Sequence, residues 1–535
     1  MPGDLEVPVL IVGGGPVGLA ASILLSRFGI RSLLAERHPS TTNHPKARGV
    51  HARTMELFRQ WGVEDAIRKY ELPQNLSGFI WVDRLDGEEI GRVPLGDKRD
   101  GEFSTTSRST VSQDAVEEGL RDAAERSDLA ELHFSTEAMI EGHGHGGVIV
   151  RLRDGNGGEQ MARAGYVIAC DGASSPTRTG LGIAMNGPDA MGRSINIYFR
   201  ADLSRWVARR PCVGFFFSNP ALVGSSLLSV NGTDRWISIN RARPGEEFSP
   251  ERCVRLIRDL VGADDLPIEI INTAYWTMTA QVAQHYRSGR IFFAGDAAHR
   301  FPPTGGFGMN TGIQDIHNLV WKIAFVLNGG ADASLLGSYE AERKPVAQSN
   351  TDFSVINAVR LGAMYQAVRD GDREAMARLI ADQRKHLAHL GQQFGFHYES
   401  DAIISDGTPA PEFSPYEYVP TGRPGHRAPH LWLESGAARV SALDLFDRNF
   451  TLLTTPAGDI WRAEAAALRN ALRCFTIGRD AELRDSQDKF LELYGMDDDG
   501  AVLVRPDGFV AWRQQNGAGA QPGKIKQVLR SVLTD

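Results

Sequence analysis

Val9-Leu-Ile-Val-Gly13-Gly-Gly15-Pro16-Val17-Gly18-Leu-Ala-Ala21, followed by Leu33-Leu-Ala-Glu36-Arg37, is the stretch that decides the fold. An apolar run of strand length meets a glycine cluster. A helical pattern follows, and a second apolar run ends in an acid. This is G-x-G-x-x-G in the strand, turn, helix and strand setting that a dinucleotide site requires. Gly13 allows the tight turn. Gly15 lets the backbone approach a pyrophosphate, and Gly18 lets the helix pack close to the strand. The helix N-terminus offers free N–H groups and a positive dipole end to phosphates. Glu36 stands where a carboxylate binds ribose hydroxyls. The fingerprint alone leaves FAD and NAD(P) equally open.

Working outward, His44-Pro-Lys46-Ala-Arg48-Gly-Val-His51-Ala-Arg53 puts positive charge in a loop after the second strand. That charge complements a pyrophosphate; the plain alternative is a solvated basic loop. A helix is expected from Arg53 to a stop at Gly62. Ser112-Gln113-Asp114 opens another helix, with Ser112 or Asp114 as its cap. Residues 133–138 and 147–152 read as strands. Tyr166-Val-Ile-Ala-Cys170-Asp171-Gly172 reads as a buried strand ending in Asp-Gly, with Pro176 placed to start a short helix.

Residues 186–284 change character. Strand-like runs recur at 194–199, 213–217, 222–230 and 235–240, with a helix over 251–260 and two more strands at 268–273 and 275–279. The aromatics Phe199, Phe215, Phe216, Phe217, Trp236, Tyr275 and Trp276 gather here. They are either sheet core or the wall of an aromatic pocket.

A third stretch narrows the cofactor. Ile291-Phe-Phe-Ala-Gly295-Asp296 is a strand delivering a carboxylate. Pro302-Pro303-Thr-Gly305-Gly306-Phe-Gly308-Met309-Asn310 then leads into a helix. Asp296 can accept hydrogen bonds from a ribityl or ribose chain. The glycines let backbone lie against a flat ring, and the helix N-terminus supplies positive potential toward the ring edge where charge collects on reduction. A nicotinamide-only enzyme has no need of this second site.

Bulk properties agree. The 535 residues exceed one core, so two to four domains are expected. Forty-two per cent hydrophobic and 23% charged residues fit a globular chain, and a net charge of −8 argues against a nucleic-acid partner. The sequence shows no membrane-length apolar run and no secretory leader. Four scattered cysteines form no Cys-x-x-Cys and no metal pattern, which fits a cytoplasmic protein with free thiols.

The three stretches, in this order and at this spacing, resemble the FAD-dependent aromatic hydroxylases, the group A flavoprotein monooxygenases. Arg53-Thr-Met-Glu56, residues 306–315 and Tyr339-Glu-Ala-Glu-Arg343-Lys-Pro345 look like the branch with 2,4-dichlorophenol 6-monooxygenase and the rebeccamycin-pathway flavoenzyme. The resemblance implies an α/β fold: a Rossmann-like FAD-binding domain of the para-hydroxybenzoate hydroxylase type, an inserted β-sheet substrate domain and a C-terminal thioredoxin-like domain. The expected limits are 1–185 and 285–405 for the FAD domain with its helical region, 186–284 for the insertion, and 406–535 for linker and C-terminal domain. That last domain shows an alternating pattern with a helix near 462–471, and it lacks the redox cysteine pair. A structural or oligomer-contact role is therefore expected of it.

The resemblance also implies roles. FAD is held by Gly13, Gly15, Pro16, Val17, Gly18, Glu36, Arg37, Lys46, Gln113, Asp171, Asp296, Pro303, Gly306, Gly308, Met309 and Asn310. The expected reaction uses NADPH or NADH and O₂. A C4a-hydroperoxyflavin hydroxylates an electron-rich ring such as a phenol or hydroxypyridine. Baeyer–Villiger or decarboxylating oxidation of a polycyclic natural product is the alternative. Arg48, His51 and Tyr275 are the catalytic candidates, since some relatives carry a carboxylate where this loop has Arg48 and His51. Phe215, Trp236 and Trp276 are the substrate-wall candidates. His299 is expected to support the site and not to react. No metal, nucleic-acid or membrane partner is expected, and a homodimer or higher homo-oligomer stays open.

Overall fold

The computed structural model describes residues 5–76, 78–96, 99–468 and 472–534. Its first layer is a twisted sheet. Leu5–Val12 lies at the centre, parallel to Ser32–Ala35 on one side and to Glu159–Ala169 on the other. Ala130–His133 and Ile291–Phe293 extend it in parallel on the two sides, and the short Arg287–Ser288 adds an antiparallel edge beyond the latter. The inner strands are almost wholly apolar where both faces are covered: residues 9–12 and 167–169, Ser32–Ala35 and Ile291–Phe293 are buried throughout. The strand order reverses at Leu5–Val12, which opens a crevice at the strand C-termini, where open α/β sheets bind ligands.

Glycine sets how tightly the helices sit on this sheet. Pro16–Arg27 follows the first strand with Pro16 in its first turn. A Cβ on Gly18 would lie 1.9 Å from the Gly13 carbonyl oxygen. A Cβ on Gly312, in the long helix Phe307–Leu327, would lie 2.9 Å from the Gly295 Cα. Strand, turn and both helices therefore approach at distances that only glycine permits.

The second layer is a seven-stranded sheet. Gly192–Arg200, Gly214–Phe217, Ser225–Ser229 and Arg235–Ala242 form as the sequence suggests. The two strands expected at 268–279 are one continuous strand, Glu269–Met278. The sheet also takes in Phe79–Val82 and Glu89–Val93, which lie outside 186–284. Helix Pro250–Val261 covers one face, packing Cys253, Ile257 and Leu260 against Ile195, Ile197 and Phe199. The other face looks toward the first layer. The single strand expected over 133–138 is broken, because Ser135 turns the chain at φ 53° between Ala130–His133 and Thr136–Gly144.

The C-terminal unit has a parallel β-α-β start, Phe450–Thr454, Asp459–Ala467 and Leu472–Gly478. An antiparallel pair, Ala501–Val504 and Val510–Gln514, and the helix Lys524–Leu533 complete a thioredoxin-like arrangement. Residues 469–471 of the helix expected near 462–471 lie outside the described residues.

Buried ion networks tie this unit to the first layer. Arg505 donates to both Glu342 oxygens, at 2.6 and 2.9 Å, and Lys322 reaches the same carboxylate at 2.8 Å. Arg427 grips Glu56 at 2.6 and 3.1 Å, and Arg53 joins them. All six side chains are buried. Such pairs tolerate no missing member, because the survivor is left as an uncompensated buried charge. Among the described residues no helix is long and apolar enough to cross a membrane.

Candidate active site

The two layers and the helices of residues 338–389 enclose one continuous cavity of about 1900 Å³. One end is the glycine turn. Gly13, Gly14, Gly15, Pro16 and Val17 line it, and nothing lies within 4 Å of a Cβ built on Gly15. Gly18 does not line it, consistent with a packing role. Glu36 accepts the Gly14 N–H at 2.6 Å and the His38 N–H at 2.8 Å, so one carboxylate fixes both the turn and its own loop. Arg37 and Lys46 are exposed along the same edge. Gln113 ties the basic loop to its helix, accepting from the Ala47 N–H at 3.3 Å and donating to Glu117 at 2.7 Å. Asp171 accepts from Ser175 Oγ at 2.6 Å and from the Thr177 N–H at 3.0 Å. It holds its own loop against the cavity, as the Asp-Gly turn suggests.

The middle is built by Gly295-Asp296 and residues 303–309. Asp296 has no hydrogen bond or ion pair among the described residues. Its carboxylate is open to the cavity yet ringed by protein, so desolvation raises its pKa against His299, Lys46 and Arg300. His299 is fully buried and pairs with Asp315 at 2.6 Å. Asp315 also accepts from the Gly295 N–H and from Arg343 Nε, which fixes the strand end beneath Asp296. His299 is thus a supporting residue. Gly306 starts the long helix at φ 72°, and Pro303, Gly306, Gly308 and Met309 line the cavity. Asn310 does not. It is buried, accepts the His51 N–H at 2.9 Å and donates to Gly49 and Gly306 carbonyls at 3.0 and 2.7 Å. It acts on the ring-edge loop from behind.

The far end is the inner face of the second sheet. Alternation sends successive side chains to opposite faces, and this overturns two expectations. Phe215 and Trp236 point to the helix side, into the core with Ile195 and Ile257, and do not line the cavity. Tyr275 sits opposite Ile195 in the ladder and so shares that face. Its hydroxyl accepts the Phe248 N–H at 2.7 Å and its ring lies under Arg193. It borders the cavity, but its hydroxyl is engaged by the Phe248 backbone. Trp276, one residue on, does line the cavity and donates to Asn196 at 2.8 Å. The aromatic wall that the sequence reading missed is Trp81 stacked on Phe216 at 5.0 Å. In a run of three phenylalanines nothing polar marks the parity. Only the pairing of Phe216 with Ser226 and Trp81 reveals it.

Arg48 and His51 both line the cavity. Arg48 Nε and Nη1 are buried and unpartnered among the described residues, and desolvation, opposed by Asp114, lowers its pKa to about 10. His51 Nε2 donates to the Gly305 carbonyl at 2.9 Å. Burial, then the charge of Arg108, lowers its pKa to about 3 against that hydrogen bond. A histidine so disposed stays neutral and holds the glycine loop; it is too weak a base to take a phenol proton near neutral pH.

The site fits FAD on its own features: an open backbone cradle at Gly15, an unpartnered carboxylate at Asp296 and a glycine loop at a helix N-terminus. Comparison with known proteins agrees. The FAD binding domain family matches residues 6–354, and the aromatic-ring hydroxylase C-terminal family matches residues 421–535. A 4-methyl-5-nitrocatechol 5-monooxygenase of Burkholderia sp is 37% identical over 99% of this chain and 98% of its own. A 2,4-dichlorophenol 6-monooxygenase of Cupriavidus pinatubonensis is 34% identical over 99% and 96%. The flavin-dependent monooxygenase PieE, solved with FAD and substrate, superposes with a TM-score of 0.92 at 33% identity over 99% of both chains. The fold and site define a flavoprotein monooxygenase. The chain belongs to the family of FAD-dependent aromatic-ring hydroxylases, which work with FAD and NAD(P)H.

Proposed function

We propose that this enzyme hydroxylates a phenolic ring, in the class to which nitrocatechols and chlorophenols belong. One observation carries the reading: a single cavity joins the glycine turn and Asp296 to the aromatic wall of Trp81, Phe216 and Trp276. Gly13, Gly15, Pro16 and Val17 would cradle the pyrophosphate, with Glu36, Arg37, Lys46, Gln113 and Asp171 shaping that end. Asp296 would bind the ribityl chain, and Pro303, Gly306, Gly308 and Met309 would lie along the ring. FAD, when bound, supplies hydride acceptance from NAD(P)H and activation of O₂. The protein's part is positioning and exclusion of water. His51 and Asn310 fix the ring-edge loop, Trp81 and Phe216 offer flat apolar surface, and the second sheet walls one side of the site.

The limits of 186–284 for the substrate domain are widened in this reading by residues 79–93. The thioredoxin-like unit carries no thiol chemistry and serves as a clamp. The reading places the enzyme in the cytoplasm as a homo-oligomer, which sedimentation of the purified holoenzyme would measure. The test of function is NAD(P)H oxidation across a phenol panel with labelled O₂. Stimulated oxidation with one labelled oxygen on a ring carbon is expected. Ring insertion or loss of CO₂ would establish the alternative oxidation instead.

A further inference from the structure

Arg108 lies in a setting that the cofactor does not explain. Its strand, Ser109–Thr110, pairs with Gly49–Val50, so Arg108 faces His51 across the ladder. Two glycines clear room for it. A Cβ on Gly49 would lie 3.3 Å from its Nη2, and a Cβ on Gly96 only 2.7 Å from its Cδ. The side chain lines the cavity, and its Nε is buried without a hydrogen-bond partner. No ion pair or hydrogen bond reaches it among the described residues. Among the described residues Asp100 is the carboxylate whose charge is felt at Arg108, and no hydrogen bond or ion pair joins the two.

Its surroundings point away from the nucleotide end. His51 and His389 are the titratable groups on which its charge acts. His389 packs on Phe307 beside Gly305. Beyond lie His386 and Tyr365, with Arg241 near the end of the interior strand Arg235–Ala242. This half of the cavity holds cations, neutral histidines and a phenol. The carboxylates that line the cavity are Glu36, Glu117, Glu137, Asp171, Asp189 and Asp296, and none of them is a charge felt at Arg108. A desolvated guanidinium without a counter-charge is costly, and buried charges are paired in working sites.

We propose that Arg108 anchors an ionised oxygen carried by the aromatic substrate, so that the enzyme binds its ring as an anion. This rests on the hydroxylase reading and sharpens its substrate class. A bound phenolate is also the electron-rich form that hydroxylation needs, so anchoring and activation coincide. A ring carboxylate would use the same guanidinium without that activation.

The test uses the FAD-loaded enzyme and three probes. 4-Methyl-5-nitrocatechol reports its own ionisation by colour, while 2,4-dichlorophenol and 2,4-dichlorobenzoate separate a phenolate from a carboxylate. The wild type should bind the nitrocatechol as its anion at a pH below the solution pKa. Arg108→Gln should keep its flavin and weaken that binding about ten- to a hundred-fold, as loss of a charge-assisted hydrogen bond does. Arg108→Lys should recover part of the loss and guards against misfolding of the glutamine variant. Preference for the phenol over the benzoate marks the phenolate, and the reverse marks the carboxylate. Binding of the neutral form, or an affinity unmoved in Arg108→Gln, overturns the inference while leaving the hydroxylase reading intact. Loss of flavin in both variants would assign Arg108 to the cofactor and also overturn it. Failure of the wild type to bind any of the probes would instead count against the phenol-hydroxylase reading itself.

Discussion

At the scale of single residues, Asp296 and Gly15 are the most exposed to test. Asp296 is a carboxylate kept in a desolvated place without a protein partner. Its replacement by alanine breaks no hydrogen bond or ion pair among the described residues, so the protein should fold about as stably while purifying nearly colourless. The ratio of flavin to protein absorbance measures this, and a fully yellow Asp296→Ala would refute the placement. Asp296 was readable from sequence because a strand end, an acid and a glycine-rich loop make one local pattern. Arg108 was not, because its meaning comes from a two-residue ladder with Gly49–Val50 and from a guanidinium left without a partner. Phe215 and Trp236 were misjudged for a related reason. Which face a sheet residue takes is a property of register, and register is settled between strands.

At the scale of elements, the three glycines of the fingerprint divide into two kinds. A Cβ on Gly18 would strike the Gly13 carbonyl, whereas one on Gly15 meets only open space and the backbone there has φ −74°, which alanine tolerates. Gly18→Ala should therefore lose about 1–3 kcal/mol of stability through overpacking, visible as a lower melting temperature. Gly15→Ala should melt like the wild type as apoprotein yet bind FAD more weakly, because its methyl group intrudes where the cofactor lies. Equal melting temperatures for the two variants would deny this division. The strand-turn-helix elements were legible in the sequence, since glycine, proline and apolar periodicity act locally. The two strands from residues 79–93 were not, because they join the second sheet only by a parallel pairing with Gly214–Phe217 far along the chain.

At the scale of the molecule, burial of titratable groups makes the fold acid-sensitive in two steps. Desolvation lowers His51 and His317 to about 3 and His386, His426 and His430 to about 4, and pushes His389 down as well. The unfolded chain then binds more protons than the folded one below about pH 6.5, so stability falls as pH drops from there, by on the order of 2 kcal/mol per group at pH 5. The carboxylates follow. Burial opposes it, but Arg427 and Arg53 hold Glu56 down to about 2. Its contribution is complete above the ordinary glutamate pKa and is lost as pH falls toward 2. Thermal melting against pH should show a decline beginning near 6.5 and steepening below 4.5. Glu56→Gln should flatten the lower step and cost about 3–5 kcal/mol at neutral pH, since Arg427 is left buried without its partner. A melting temperature level from pH 7 to 5 would contradict the first step.

The same ion networks bear on the order in which the chain can be finished. Glu56 emerges early from a ribosome, but its partner Arg427 follows 371 residues later, and Glu342 waits 163 residues for Arg505. Until then each carboxylate has only the cation near it in the chain, Arg53 for Glu56 and Lys322 for Glu342, and lacks the arginine that grips both of its oxygens. The charge pairing of the dinucleotide fold is therefore completed only when the C-terminal unit docks, and that docking ties the burial of both carboxylates to the folding of a unit made much later.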